Sequence, residues 1–395
     1  VQTVLISGGG VAGPTLAHWL ARLGFRPTVV ERAPALRTGG QAVDFRGAPQ
    51  LEVLKRMGVL DPISAAQTGM GDIAIVDGAG RRLARLPSEV FSGDVEILRG
   101  DLTRILNEAA PAERLLGDSI TSLTERPDGV QVTFEKAAPR TFDLVVGADG
   151  IRSKVRELAF PAAPLRHLGF YGAVFSVPGT YGLDHDGLMH NVPGRCATIV
   201  RTNGRTRASL DFATPPLDVG HRDQAAQRAL VARAFREVGW QVPSLLAAMD
   251  RAEDFYFWQA AQVVLPRWSS GRVALVGDAG YAPGPGGMGT GLGMIGAYVL
   301  AAELAAAPGD HSAAFDAYER RMRPYVEVCQ KQAEGADKYL VPGTRARIRL
   351  RNQMMRMLPY LPGKGMVKRM TDKAASAVTL PDHPRQGARR PAQPA

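Results

Sequence analysis

The chain has 395 residues, of which 45% are hydrophobic and 22% charged, with 48 Lys/Arg against 38 Asp/Glu for a formal charge of +10. At roughly 100–200 residues per domain, this length predicts two or three domains with room for a sizeable core, and the composition excludes global disorder. The charge is local: residues 341–395 hold 12 Lys/Arg and 2 Asp/Glu while the first 340 balance at 36 of each, which excludes a uniformly basic nucleic-acid binder. In chain order, Thr3–Ser7 is a short β-branched and apolar run, 8–13 a glycine turn, 14–23 a helix with Pro14 in its first turn, and Arg26–Glu31 a second strand. This β-α-β opening starts a doubly wound parallel sheet.

From 71 to 98 the sequence becomes hairpin-like, with Ile73–Val76 and Arg82–Leu86 flanking the turn Asp77-Gly78-Ala79-Gly80. Residues 102–109 read as helix, Gly129–Phe134 and 142–146 as strands, and 169–212 as several short alternating strands. An amphipathic helix at 223–238 and a strand at 255–264 follow. Residues 272–276 return to a buried parallel-type strand, then come a glycine loop, a helix at 292–306, and a long helix at 312–341 with a break near Pro324. The uncharged stretch 279–302 is long enough to cross a bilayer, but its eight glycines and two prolines make its first half a loop, so no integral membrane span is expected. Val4-Leu5-Ile6 is too short for the core of a signal peptide. Cys196 and Cys329 form no C-x-x-C pair. A cytoplasmic location without a disulfide framework or a metal is therefore expected.

Three motifs carry chemistry. Gly8-x-Gly10-x-x-Gly13 lies between a strand and a helix: its first glycine permits the tight turn, its second lets a pyrophosphate approach the backbone, and its third packs helix on strand. Two further matches, beginning at Gly284 and Gly291, lack that context. The second strand ends in Glu31, 18 residues after Gly13, placed to accept ribose hydroxyls. The second motif is the apolar strand that ends in Asp149-Gly150, followed by Ser153 and Arg156. The third is the strand that ends in Gly277-Asp278 ahead of the glycine loop, and open α/β sheets bind ligands at such strand ends. Glycines 286, 287, 289, 291, 293 and 296 imply close approach by a flat ligand or by another backbone, with a helix packed tightly on a sheet as the alternative.

In this order and spacing the three motifs resemble the single-component FAD-dependent aromatic hydroxylases, the para-hydroxybenzoate hydroxylase-like family that includes tetracycline-inactivating and polyketide-tailoring monooxygenases. The resemblance covers about residues 1–340. It implies an α/β chain with a Rossmann-like FAD-binding domain (1–70, 97–165 and 267–340), an inserted β-rich substrate domain (71–96 and 166–266) and a basic C-terminal helical tail (341–395). It implies FAD on the first motif with Glu31 at the ribose, Asp149 arranging FAD and NADPH, Asp278 on the ribityl chain, Arg99 against the flavin, and Asp44 and Arg46 beside the nicotinamide's approach. Gly8, Gly10, Ala12, Gly13, Arg32, Gly289 and Thr290 complete the cofactor set. Two departures stand out: Tyr281 where many relatives have His, and Gly287-Met288-Gly289 where they have Gly-Gln-Gly.

The implied activity is hydroxylation of an aromatic or polycyclic natural product with NADPH (or NADH) and O2 through a flavin C4a-hydroperoxide. Baeyer–Villiger insertion, epoxidation, or a non-oxygenating FAD protein that holds a reactive ligand are the alternatives. No catalytic dyad stands out, as expected when the cofactor carries the chemistry. The substrate candidates are His190, Phe212, Phe257 and Pro285. The partner is a small aromatic molecule, not a nucleic acid, and the oligomeric state is left open. Within the tail, the alternating arginines at 345–351 and the apolar residues behind them read as an amphipathic helix. Its apolar side is expected to pack on its own domain with the arginines solvated, and an anionic membrane is the alternative.

Overall fold

A computed structural model describes residues 1–36, 40–286, 288–357 and 377–382. Among these, one sheet has six strands in the order Ser269–Ser270, Val273–Leu275, Leu144–Gly147, Thr3–Ser7, Arg26–Glu31, Glu113–Leu116, parallel except at the first pair. The central strands bury both faces, as continuous apolar runs such as Val4-Leu5-Ile6 and Val145-Val146 require. Three of them end side by side, since Ser7 pairs with Gly147 and Gly147 with Leu275. Motifs separated by well over a hundred residues therefore emerge at one sheet edge.

Helix Gly289–Ala306 packs between helices Ala12–Arg22 and His311–Ala333. It is long and apolar enough to cross a membrane, but it is mostly buried and forms part of the core. Its glycines are largely explained by that packing. A Cβ on Gly291 would meet Gln50 at 2.1 Å, one on Gly296 would meet the Tyr281 hydroxyl at 2.0 Å, and Gly293 faces Ala12 and Gly277. Tyr281 thus spends its ring and hydroxyl inside the fold, stacked near Trp268 and accepting from Tyr318 at 2.8 Å.

A second sheet has seven strands in the order Tyr256–Gln262, Arg166–Ser176, Arg205–Ala213, Arg195–Thr202, Gly187–Val192, Ile73–Val76, Arg82–Leu86. Helices Gln224–Phe235 and Val242–Met249 cover one face, against Tyr171, Phe175, Leu210 and Phe212. We call the opposite face the inner face. Val95–Leu98 pairs with Ala42–Phe45 and not with this sheet.

Two expectations need correction. Helix His311–Ala333 runs through Pro324, and the break falls at Gly335 with φ +84°. Burial of Tyr318, Met322, Tyr325 and Val326 outweighs the local cost of the proline. Helix Arg345–Met357 departs from expectation in part: Arg345, Arg347 and Arg349 are exposed and Met355 packs on the domain as expected, but Arg351 does not follow the other arginines. Arg351 and Asn352 are buried, whereas Leu350, Met354 and Met357 are 62%, 51% and 51% exposed. The Arg351 guanidinium donates to Asn191 Oδ1 at 2.8 Å and to the Tyr339 carbonyl at 2.7 Å, so hydrogen bonding decides which side docks.

Candidate cofactor and substrate site

The first motif has the geometry of a phosphate cradle. Gly8 adopts φ +113°, and a Cβ there would lie 2.4 Å from the Ala148 carbonyl oxygen; one on Gly13 would lie 1.9 Å from that of Gly8. A Cβ on Gly10, by contrast, would meet nothing within 4 Å. Two glycines are required by the fold, and the third opens a space. Helix Ala12–Arg22 starts without a side-chain cap, which leaves its first N–H groups and positive end facing that space. Glu31 Oε2 accepts from Gly9 N at 2.7 Å and Oε1 from Ala33 N at 2.8 Å, which fixes the carboxylate beside the turn with lone pairs to spare. Asn107 donates to the Gly9 carbonyl at 3.1 Å and braces the turn from behind. Ala12 packs its methyl near Gly277 and Gly293, while Arg32 is exposed.

At the second motif, Asp149 Oδ2 accepts from Ser7 Oγ at 3.2 Å and from Lys154 N at 2.8 Å, joining the first two motifs. Its Oδ1 is buried without a hydrogen-bond partner, and burial raises the carboxyl above its usual range. Arg156 donates to the carbonyls of Ala279 at 2.8 Å and Ile151 at 2.6 Å, stapling the second motif to the third. Sequence reasoning noted Arg156 without giving it this role. Asp278 is exposed to solvent yet surrounded by protein, the position of a residue on the floor of a deep recess. Desolvation raises its carboxyl, and the Arg99 charge opposes the shift. Gly289 lies close by, at the uncapped start of its helix with Thr290.

Asp44 and Arg46 form a buried ion pair, and Arg46 also donates to the Phe91 carbonyl. Burial pushes the Asp44 carboxyl up to about 6 against the pull of Arg46. An open cradle beside Glu31, an orphaned acceptor at Asp149, two uncapped helix starts and the carboxylate of Asp278 beside the second of them fit FAD. The cradle would hold the pyrophosphate, Glu31 the ribose, and Asp278 the ribityl hydroxyls.

Of the substrate candidates only Phe212 and Phe257 are brought together, on Tyr171. His190, Phe212 and Phe257 lie on the helix-covered face: Phe212 and Phe257 stack on Tyr171, and His190 bonds the Val76 carbonyl at 3.1 Å beside Trp240. Strand alternation puts them there, because His190 pairs with Ala197, Phe212 with Tyr171, and Phe257 with Ala173, all of that face. Pro285 alone stays in the glycine loop, half-buried.

The inner face instead presents Arg207, Ser209, Asp211, Phe170 and Trp258. Arg207 Nε and Nη1 and Asp211 Oδ1 are buried without hydrogen-bond partners, and Arg207 lies within electrostatic reach of Asp101, two residues after Arg99. A Cβ on Gly172 would strike both Asp211 Oδ1 and the Trp258 ring, so the absence of a side chain there lets those groups meet the strand. The signal was present in the sequence: polar 207, 209 and 211 alternate with apolar 208, 210 and 212.

Asp211 carries a pH prediction. Burial pushes its carboxyl up to about 7 despite the Ser209 hydroxyl. Because the folded value exceeds the unfolded one of about 3.9, this group's contribution to stability is fully present below pH 4 and is lost as pH rises through about 7, by up to about 4 kcal/mol at 1.36 kcal/mol per pH unit. The melting temperature should therefore fall between about pH 4 and 7 and level off above, and Asp211→Asn should flatten that fall. Parallel melting profiles for the two proteins would reject this assignment.

The sequence profile of the FAD binding domain family matches residues 2–333. An uncharacterized protein of Mycobacterium tuberculosis is 43% identical over 340 residues, covering 83% of this chain and 91% of that protein. A flavin-dependent monooxygenase from an unknown prokaryotic organism is 39% identical over 339 residues, covering 83% and 88%. The crystal structure of tetracycline destructase Tet(55) superposes with a TM-score of 0.84 at 35% identity, covering 97% of this chain and 99% of that one.

Proposed function

We propose, from the premise that the chain belongs to the FAD binding domain family and is a flavin-dependent monooxygenase, that it uses NADPH and O2 to hydroxylate a flat, aromatic or polycyclic natural product bearing an acidic hydroxyl. The observation that carries this reading is that Arg207 Nε and Nη1 and Asp211 Oδ1 are buried without hydrogen-bond partners on the inner sheet face, with Asp211 beside Trp258. When bound, FAD supplies the activation of O2 and the transferable oxygen. The chain's own residues do the rest. Trp258, backed by the buried ring of Phe170, offers apolar surface to a flat ring system, and Arg207 donates to an ionised phenolic or enolic oxygen. Asp211, protonated below about pH 7, both donates and accepts. The loop containing Pro285 is tied to the second sheet, where Gln262 donates to the Pro283 carbonyl and Gly284 approaches Leu168, and Pro283 lies against Gly289 beside Asp278. Burial and then the charges of Arg152, Arg222 and Arg32 hold the His221 imidazole below its usual range, and these neighbouring guanidiniums support NADPH over NADH. Such a cationic group suits a ribose phosphate.

The experiment is turnover with NADPH across a panel of phenols and polyketides. A product one oxygen heavier is expected, with slow peroxide release when substrate is absent. Arg207→Gln should raise KM for an acidic substrate about tenfold or more, the loss of one charge-assisted hydrogen bond, with FAD content unchanged. NADPH oxidation that yields neither product nor peroxide would reject the proposal.

A further inference from the structure

The C-terminal helix leaves a surface that the flavin chemistry does not use. Leu350, Met354 and Met357 recur at the spacing of one helical face and are all exposed, while Ile348, Arg351, Asn352 and Met355 occupy the docked side. At 100° per residue, Arg347 borders the exposed stripe on one side, and on the other Arg349, Arg356 and Arg345 follow beyond Ala346 and Gln353; all four arginines are exposed. No acidic residue occurs between 345 and 357. Tyr339, whose carbonyl accepts from Arg351, is a further exposed ring beside the helix, at 60%.

We propose that this helix is a docking surface for an anionic lipid membrane, lying in the plane of the interface with Leu350, Met354 and Met357 in the acyl boundary and the arginines at headgroup level. A stripe of apolar residues between cationic flanks is the arrangement an interfacial helix needs. Charge decides between occupants. A second copy of the chain would set arginines against arginines, and a nucleic acid would leave the apolar stripe facing phosphates. An anionic bilayer alone satisfies both parts of the surface. The helix is already held by Arg351 on Asn191, so docking requires no coupled folding. The charge of the whole 341–395 segment adds long-range attraction.

The test is co-sedimentation of the full FAD-loaded chain with phosphatidylcholine vesicles containing or lacking phosphatidylserine. Binding is expected only to the anionic vesicles, and it should disappear at about 1 M salt, where the screening length falls to about 3 Å. Leu350→Asp with Met354→Asp should weaken binding at least about tenfold. Both sites face solvent, so flavin content should not change. A second variant, Arg345→Gln with Arg347→Gln and Arg349→Gln, should do the same without introducing acids. Three outcomes would overturn the proposal: no binding to anionic vesicles at low salt, binding unchanged in both variants, or lipid-free self-association that both variants abolish. The last would assign the face to a second copy. Because the readout is sedimentation and not turnover, failure here leaves the oxygenase reading intact.

Discussion

Gly10→Val is expected to give a folded, colourless protein. The added side chain meets no protein atom within 4 Å of its Cβ, so nothing in the fold resists it, yet it fills the space that the uncapped start of helix Ala12–Arg22 faces. A pyrophosphate placed there would lose its approach to the backbone donors, and with it several charge-assisted hydrogen bonds at about 1.5–3 kcal/mol each. Two such bonds amount to a loss of at least about a hundredfold in FAD affinity. Gly13→Val is the control with the opposite logic. Its Cβ would sit 1.9 Å from the Gly8 carbonyl oxygen, so the strand–turn–helix unit itself cannot form and the yield of folded protein should collapse. Flavin absorbance, released cofactor and thermal melting measured on both variants separate the two effects. A Gly10→Val protein that keeps its full FAD complement would show that the cradle is not where the cofactor's phosphates sit.

Asp278→Ala should cost about ten- to a hundredfold in FAD affinity, the equivalent of one charge-assisted hydrogen bond worth about 1.5–3 kcal/mol. The carboxylate lies at the floor of the recess, under the influence of Arg99 and close to Gly289, with no side-chain hydrogen bond that ties it to the fold. Its removal should accordingly leave the stability of the cofactor-free protein within about 0.5 kcal/mol of the parent. Asp278→Asn should recover part of the affinity, since the amide oxygen still accepts from a hydroxyl. If Asp278→Ala loses stability without FAD and binds FAD normally, the residue serves the strand end and not the cofactor. The buried ion pair of Asp44 and Arg46 sets a boundary on such measurements: with Asp44 pushed up to about 6, comparisons are best made above pH 7, where it is ionised.

Much of the molecule was legible before folding was considered. The Gly8-x-Gly10-x-x-Gly13 turn between strand and helix, and the strand ending in Glu31, are local patterns in which each residue's neighbours in sequence are also its neighbours in space. The same holds for the hairpin at 77–80, where Asp77 caps its own turn through the N–H groups of Ala79 and Arg81. The resemblance then linked three motifs, and the sheet register explains why they belong together, because three parallel strands end in line. Three of the substrate candidates face the covering helices for a physical reason. His190, Phe212 and Phe257 were chosen by residue type, but in a strand the side of the sheet is set by alternation, and their positions share the parity of Tyr171 and Ala173.

The sequence by itself determined what depends on local chemistry: the α/β class, the phosphate turn, the glycine-dense helix and the basic C-terminal segment. Only the tertiary structure decided what depends on which surface finds a partner. Tyr281 turns inward beneath Gly296 and hydrogen-bonds Tyr318, a contact between positions 37 residues apart that no local pattern announces. Arg156 reaches the carbonyl of Ala279 across 123 residues and joins two motifs that sequence spacing leaves separate. Helix Arg345–Met357 shows the principle most plainly. Its composition favours burying apolar side chains, and Ile348 and Met355 do dock, but the Arg351 guanidinium, satisfied by Asn191 and the Tyr339 carbonyl, docks beside them, and Leu350, Met354 and Met357 are left to face outward.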